Sequence, residues 1–232
     1  MIRFRDRGAR GRHQSGPIDA QHSFSFADYH DPKHMGFRDL RVLNEDRIVP
    51  GAGLAEHAHH DMEIVTIVLK GAVEHRDDLG NTAVIRAGEV QCMSAGTGIR
   101  HSERNPSPIE PTHVLQIWII PAETGGAPSY AQKSFASDET RNRWITIVSS
   151  DGQDGSLTLR QNASMEMVRL DEGVVLEREL DPGRGYWVQI VAGIIGLNGT
   201  EMREGDGAAI TLEKMLSIEA DTGAEILLID LP

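Results

Sequence analysis

Two short stretches of this chain carry the residue types that bind metal ions. The first is Gly51-Ala-Gly-Leu-Ala-Glu-His57-Ala-His59, and the second is His101-Ser-Glu103. Successive side chains of a β-strand point to opposite faces, so residues two apart share a face. On strands, His57 and His59 would present two imidazoles together, and His101 and Glu103 an imidazole and a carboxylate. If the two strands are neighbours in one sheet, the four groups form a three-histidine, one-carboxylate site. Nitrogen and oxygen donors without thiolate suit iron(II), manganese, nickel, copper or zinc. One His-x-His alone is commonly a pair of solvated side chains. Two separate pairs of ligand-type residues, each near a glycine-rich turn, form a more specific pattern.

The elements that must position these groups read as strands. Runs rich in Val, Ile and Leu recur at short intervals between Gly, Asp and Asn, as in Leu40–Leu43, Ile64–Leu69, Thr82–Ile85, His113–Ile120, Trp144–Val148, Tyr186–Val191 and Ile226–Ile229. Asp78–Asn81 and Leu197–Thr200 read as hairpin turns, and no long helical periodicity interrupts the pattern. The fold class is therefore all-β, a sandwich or barrel. A faint repeat divides it: Ile67–Gly71 is echoed by Gln189–Gly193, and Arg86–Glu89 by Arg203–Asp206. Two related barrels in tandem is the economical account. Pro121–Ser137, with two Pro and two adjacent Gly, reads as the connection. The expected division is a first barrel over 1–121, a linker over 122–137 and a second barrel over 138–232. All ten histidines lie within residues 13–113, so imidazole chemistry belongs to the first half.

The length of 232 residues fits one large domain or two small ones. No apolar stretch approaches the ~18 residues of a membrane span, and the basic start MIRFRDRGARGRH lacks a following apolar segment. With Cys92 as the one cysteine, neither an internal disulfide nor a Cys-x-x-Cys site can form, and the expectation is a cytoplasmic protein. The net charge of −12 is concentrated beyond residue 113, a field that disfavours direct nucleic-acid binding. Arg3, Arg5, Arg7, Arg10 and Arg12 are the exception, and their alternation suits the exposed face of an edge strand.

At this point the residues resemble a known family. Gly51-x5-His57-x-His59-x3-Glu63 with Gly71 resembles the first cupin motif, and Gly88-x5-Ser94-Ala-Gly96 with His101-x3-Asn105 resembles the second. More narrowly, His22–Tyr29, Asp31-Pro32, Met35–Phe37, Leu40–Val42, His59-x2-Met62-Glu63, Met93–Glu103 and Gln116–Trp118 resemble the pirin family of bicupins. The detailed likeness covers roughly residues 20–121. It implies two tandem cupin jelly-roll β-barrels, with His57, His59, His101 and Glu103 binding one divalent transition metal. That metal is commonly iron(II) in pirins, with nickel, manganese, copper, cobalt or zinc as alternatives. Glu63 stands where many other cupins place their carboxylate ligand, and the likeness leaves it outside the ligand set. The chain departs from the family pattern at Leu54-Ala55-Glu56, at Ala58 and at Ile67. Glu56 would add a charge at the mouth of the site, which bears on substrate preference.

The resemblance further implies a dioxygenase that uses dioxygen to cleave the heterocyclic ring of quercetin-like flavonols with release of carbon monoxide. Glu103 would be the catalytic group that accepts the substrate hydroxyl proton. The alternative is a metal-dependent, redox-sensing regulator that binds a protein partner without turnover, and a third option is a cupin isomerase or small-molecule binder. A monomer is expected. His60, His75 and His113 are expected to be hydrogen-bonded or solvent-facing. His22, Tyr29, His30 and His34 are expected to be structural, packing near the cavity. Cys92 reads as buried core. Counting back from Gly193 lands on Glu179 and Asp181, so the second barrel is expected to hold no metal.

Overall fold

The computed structural model describes residues 1–135 and 138–232. Residues 11–135 and 157–161 form one compact unit, and residues 1–10, 138–156 and 162–232 form another. The described residues fold into twenty-two strands and two short 3-10 turns, and none of their helices is long and apolar enough to cross a membrane.

After β1 (Ile2–Arg5), which belongs to the second unit, the chain builds the first. Its strands are β2 (Gly11–Ser15), β3 (Ile18–His22), β4 (Leu40–Ile48), β5 (Gly53–His59), β6 (Glu63–Lys70), β7 (Ala72–Asp77), β8 (Thr82–Arg86), β9 (Glu89–Ser94), β10 (Ile99–Arg104), β11 (Thr112–Ile119) and β12 (Ser129–Ser134). One sheet runs β12-β9-β6-β11-β4-β3-β2 and the other β5-β10-β7-β8. Val68 and Val114 of the first sheet pack with Val73 and Ile85 of the second, all at most 3% exposed. Each such side chain contributes about 1.5–3 kcal/mol by leaving water. The chain reverses between β6 and β7 at Gly71, whose φ of +72° suits a residue without Cβ.

The short β14 (Leu157–Thr158) is counted with the first unit. The second unit comprises β13 (Ile145–Ser149), β15 (Ser164–Leu170), β16 (Val175–Glu179), β17 (Gly185–Ala192), β18 (Ile194–Leu197), β19 (Thr200–Arg203), β20 (Gly207–Thr211), β21 (Met215–Ala220) and β22 (Ala224–Leu231). Its sheets run β1-β20-β17-β22-β15-β13 and β16-β21-β18-β19. The order β9-β6-β11-β4 thus recurs as β20-β17-β22-β15, and β5-β10-β7-β8 recurs as β16-β21-β18-β19. The chain is two all-β barrels of one topology in tandem. Gly193, at φ +85°, turns β17 into β18 as Gly71 turns β6 into β7. Asn198 and Gly199, at φ +45° and +82°, make the β18–β19 hairpin.

The observed division differs from the expected 1–121, 122–137 and 138–232 at both ends of the first barrel. The first strand, β1, pairs along β20 from Ile2 opposite Ile210 to Arg5 opposite Gly207, so the chain begins in the second unit. β12, inside the expected linker, pairs along β9 with Tyr130 opposite Met93. Ala136 and Ser137 of that linker lie outside the described residues. Both strands are sheet edges, bonded on one side, and need no apolar alternation of their own. The edge reading holds for Arg3 on β1 and Arg12 on β2, exposed on the outer strands of their sheets, but Arg5 is buried and Arg7 and Arg10 belong to a 3-10 turn and its cap.

Candidate metal centre

The four expected ligands come from neighbouring strands. β10 pairs antiparallel with β5, placing His101 opposite His57 and Ile99 opposite His59. A bulge between His101 and Glu103 shifts the register, and Glu103 lies opposite Leu54. Gly53 allows this approach, because a Cβ there would lie 2.2 Å from the Glu103 carbonyl oxygen. On the other side of β10 runs β7, with His101 opposite Asp77 and Glu103 opposite His75. Three adjacent strands thus each supply an i, i+2 pair: His57/His59, His101/Glu103 and His75/Asp77.

The imidazoles of His57, His59 and His101 converge, with ring centroids 4.5–4.8 Å apart. One potential ligand atom from each lies within 4.8 Å of the other two. The same span does not gather all four expected ligands, for Glu103 is grouped with His101 and His75 instead. Its carboxylate is drawn to β11, where Oε2 accepts a hydrogen bond of 2.7 Å from Gln116 Nε2. Gln116 Oε1 in turn accepts from Trp118 Nε1 at 3.2 Å.

His101 and Glu103 are buried, whereas His57 and His59 are half-buried. Burial, reinforced by the neighbouring imidazoles, lowers the pKa of His59 to about 4 and that of His101 to about 3. Burial pushes Glu103 up to about 7, opposed in part by the Gln116 amide. Burial disfavours the charged form of each group, so the imidazoles are held neutral, with lone pairs available to a cation.

Three observations fit this set to a cation. The Glu103 carboxylate is buried and under-satisfied, with Gln116 on Oε2 and the Thr66 hydroxyl as its neighbouring donors. His57 Nε2 and His101 Nε2 face each other at 3.1 Å. His57 Nδ1 donates to the Ala55 carbonyl at 2.8 Å, so in its neutral ring Nε2 is a lone pair. A buried carboxylate beside converging imidazole nitrogens is an arrangement that a divalent ion satisfies.

His57 and His59 also line a cavity of about 420 Å3, together with Gln116, Trp118, Phe26 and Leu54. Trp118 stands edge-on to His59 at 4.8 Å and to Phe26 at 5.3 Å, so this tryptophan lines the cavity. Glu56 lies at the same cavity, and its charge is paired with Arg100 at 2.9 Å. His22 lines it too, its Nδ1 on Asn44 Oδ1 at 2.8 Å.

The other acids and histidines are held elsewhere. Glu63 is buried and accepts from Ser94 Oγ at 2.7 Å and Arg160 N–H at 3.0 Å, a structural carboxylate. His60 pairs with Asp61, His113 with Glu45 and His34 with Asp31. Cys92 is buried and donates to the Thr158 carbonyl. His75 is hydrogen-bonded as expected, to Asp77 at 3.1 Å, within His75-Arg76-Asp77, a repeat of the i, i+2 spacing of the candidate ligand pairs. One residue escapes a reading of the sequence: Asp46, buried at the cavity.

In the second barrel, the strands that match β5 and β10 carry a different interior. Glu179 is exposed at the end of β16, and Asp181 caps a turn by accepting from Gly183 N–H. The inward positions hold Leu176 and Arg178 on β16, and Leu216 and Ile218 on β21, of which Leu176, Leu216 and Ile218 pack into an apolar core. Among the described residues, both candidate metal-ion groups lie in the first barrel.

Comparison with known proteins places this architecture. The Pirin family model matches residues 3–119, and the model of the quercetinase C-terminal cupin domain matches residues 146–231. The chain is 45% identical to a quercetin 2,3-dioxygenase of Escherichia coli (strain K12), over 100% of this chain and 99% of that protein. It is 41% identical to a pirin-like protein of Caulobacter vibrioides, over 93% of each. A crystal structure of the bacterial pirin YhhW from Escherichia coli in complex with nickel(II) superposes with a TM-score of 0.96, at 45% identity over 100% of this chain and 99% of that one. The matched models span both barrels and the relatives run nearly end to end, and the chain belongs to the pirin family.

Proposed function

We propose that the protein is a metal-dependent dioxygenase that cleaves the heterocyclic ring of quercetin-like flavonols with release of carbon monoxide. His57, His59, His101 and Glu103 hold one divalent transition-metal ion, iron(II) being the native choice. The observation that carries this reading is the cavity of about 420 Å3 on which His57 and His59 open. It lies within the ~300–1,000 Å3 of small-molecule clefts. A metal-sensing regulator needs no such chamber beside its ion, which favours turnover over that alternative. The activity carried in the name of the Escherichia coli relative supports the same choice.

When bound, the ion supplies Lewis acidity and redox chemistry. The protein does the rest. Phe26 and Trp118 offer aromatic surface to a planar substrate. Leu54 and Ile18 add apolar lining to the same cavity. Glu103, held by Gln116 beside the ion, is the carboxylate that takes the proton of the substrate hydroxyl. Oxygen uptake and carbon monoxide release by iron(II)-loaded protein with quercetin test the proposal. Both should occur and both should vanish in His57→Ala. Absence of oxygen uptake by the loaded protein, or an undiminished rate in the variant, would refute it.

A further inference from the structure

The two ring nitrogens of His101 face different partners. Nε2 looks to His57, whereas Nδ1 lies 3.3 Å from Nδ1 of His75. His75 is fully buried, packed against the ring of Tyr130 with centroids 4.7 Å apart, and the reaction proposed above makes no use of it. Its other nitrogen, Nε2, lies 3.1 Å from Asp77 Oδ2.

The hydrogen positions along this chain follow from its far end. The Asp77 carboxylate receives the Leu79 N–H at 3.1 Å and the Asn81 N–H at 2.9 Å on Oδ1, and Asn81 Nδ2 at 2.8 Å on Oδ2. All of these neighbours are donors, so the carboxylate accepts throughout and His75 Nε2 carries a hydrogen. His75 is fully buried, which disfavours a charged ring, and a neutral imidazole has a single N–H, so its Nδ1 is a lone pair. Opposite that lone pair, His101 Nδ1 must hold the hydrogen. His101 Nε2 is then left as a lone pair on the side where His57 presents its own.

We propose that Asp77 and His75 are positioning residues, a two-step hydrogen-bond relay that locks His101 in its Nδ1–H tautomer and so presents Nε2 to the metal ion. This rests on the metal-site reading above. Ligating histidines commonly donate their second N–H to a carboxylate or carbonyl. His57 does so to Ala55 directly, and here an intervening imidazole carries the same instruction from a carboxylate one residue further away. His75 lies within the same 4.8 Å span of His101 and Glu103. In the relay its lone pair is already engaged by His101, so it is not a ligand.

The decisive variant is Asp77→Asn. The amide oxygen can keep the two backbone donors, which places the NH2 group where Oδ2 stood, facing His75 Nε2. That group can only donate, which inverts the tautomer of His75 and then that of His101, putting a hydrogen on Nε2. A second variant, His75→Phe, removes the acceptor while keeping a ring of similar shape. The probe is zinc(II), measured by competition with a chromophoric chelator, alongside long-range proton–nitrogen NMR of histidine-labelled protein. The metal-free wild type should show His101 as Nδ1–H, and zinc should shift its Nε2. Asp77→Asn should show Nε2–H and bind zinc ten- to a hundredfold more weakly. His75→Phe should also bind more weakly, with mixed His101 tautomers.

A purely structural role would lower the melting temperature without moving the tautomer or the zinc affinity. The relay is overturned by Nε2–H on His101 in the metal-free wild type, by a zinc-induced shift at His75 Nδ1, or by zinc affinity within threefold of wild type in both variants. The wild-type spectrum and His75→Phe decide the matter even where Asp77→Asn folds poorly. Failure of the underlying site reads differently: His57→Ala would then bind zinc as tightly as wild type, whatever tautomer His101 shows.

Discussion

Asp46 is the buried acid whose environment makes the most quantitative demand on the protein. It lies on β4 at the wall of the cavity, and its Oδ1 is buried without a hydrogen-bond partner. Burial first, then repulsion from Glu103 and Glu45, raises its pKa from 3.8 to about 7. Between those values the folded protein holds a proton that the unfolded chain has released. Stability from this group is therefore full at low pH, declines as pH rises through the window, and levels off above pH 7. One pKa unit corresponds to about 1.4 kcal/mol, so the part of the window between pH 5 and pH 7 amounts to about 3 kcal/mol. Asp46→Asn keeps the shape and removes the ionisation. Urea unfolding of the metal-free proteins, followed by circular dichroism at pH 5 and pH 8, should show the wild type losing more stability over that interval than the variant, by up to about 3 kcal/mol. Glu103 titrates in the same range and remains in both proteins, so the difference between them isolates Asp46 and its coupling to Glu103. Equal losses in wild type and variant would refute the reasoning, because Asp46 would then be ionised in the fold at pH 5.

Gly53→Ala should separate β5 from β10, since the new Cβ would lie 2.2 Å from the Glu103 oxygen and 2.4 Å from Arg104 Cα. The expected cost is roughly 1–3 kcal/mol, with weaker zinc binding, both read by calorimetry. Cys92 is buried, with its thiol pKa raised by burial and by Glu63. Iodoacetamide at pH 8 should leave it unmodified in the native protein and alkylate it fully in denaturant, as mass spectrometry will report. Leu216→Ala, in the core of the second barrel, should cost roughly 2–5 kcal/mol and leave the zinc affinity of the folded protein unchanged.

The candidate ligand pairs were legible in the sequence because a strand has a period of two, and that period alone puts His57 beside His59 and His101 beside Glu103. Their meeting was not legible. His57 and His101 are joined by a ladder between residues 44 apart, and the bulge after His101 that sets Glu103 opposite Leu54 has no signature in the spacing. The two edge strands escaped for a related reason. The face pattern of β12 is mostly exposed, and a strand bonded on one side alone looks like a loop until its partner is known. Likewise, nothing local to β1 says that it will pair with β20, roughly 200 residues later.

The second barrel shows how far counting can be carried. The glycine turns repeat, and they did locate the matching strands, but an offset counted back from Gly193 assumes equal connections before the turn. It reached Glu179 and Asp181, an exposed strand end and a turn, whereas the side chains facing the interior are Leu176 and Arg178. A displacement of one residue on a strand exchanges the two faces, so a turn motif fixes where a strand lies more securely than which of its residues face inward. His75 makes the converse point. Taken alone it reads as one more polar residue on a strand, and its partner Asp77 stands two places along on the same face. Within β7 that pair has the geometry of the ligand pairs, and only the ladder to β10 sets it apart from them. Asp77 holds His75, and His75 meets His101 from the side opposite His57. Two barrels of one topology thus differ in what fills the same strand positions. Imidazole and carboxylate fill the first, whereas leucine and isoleucine, with Arg178, fill the second.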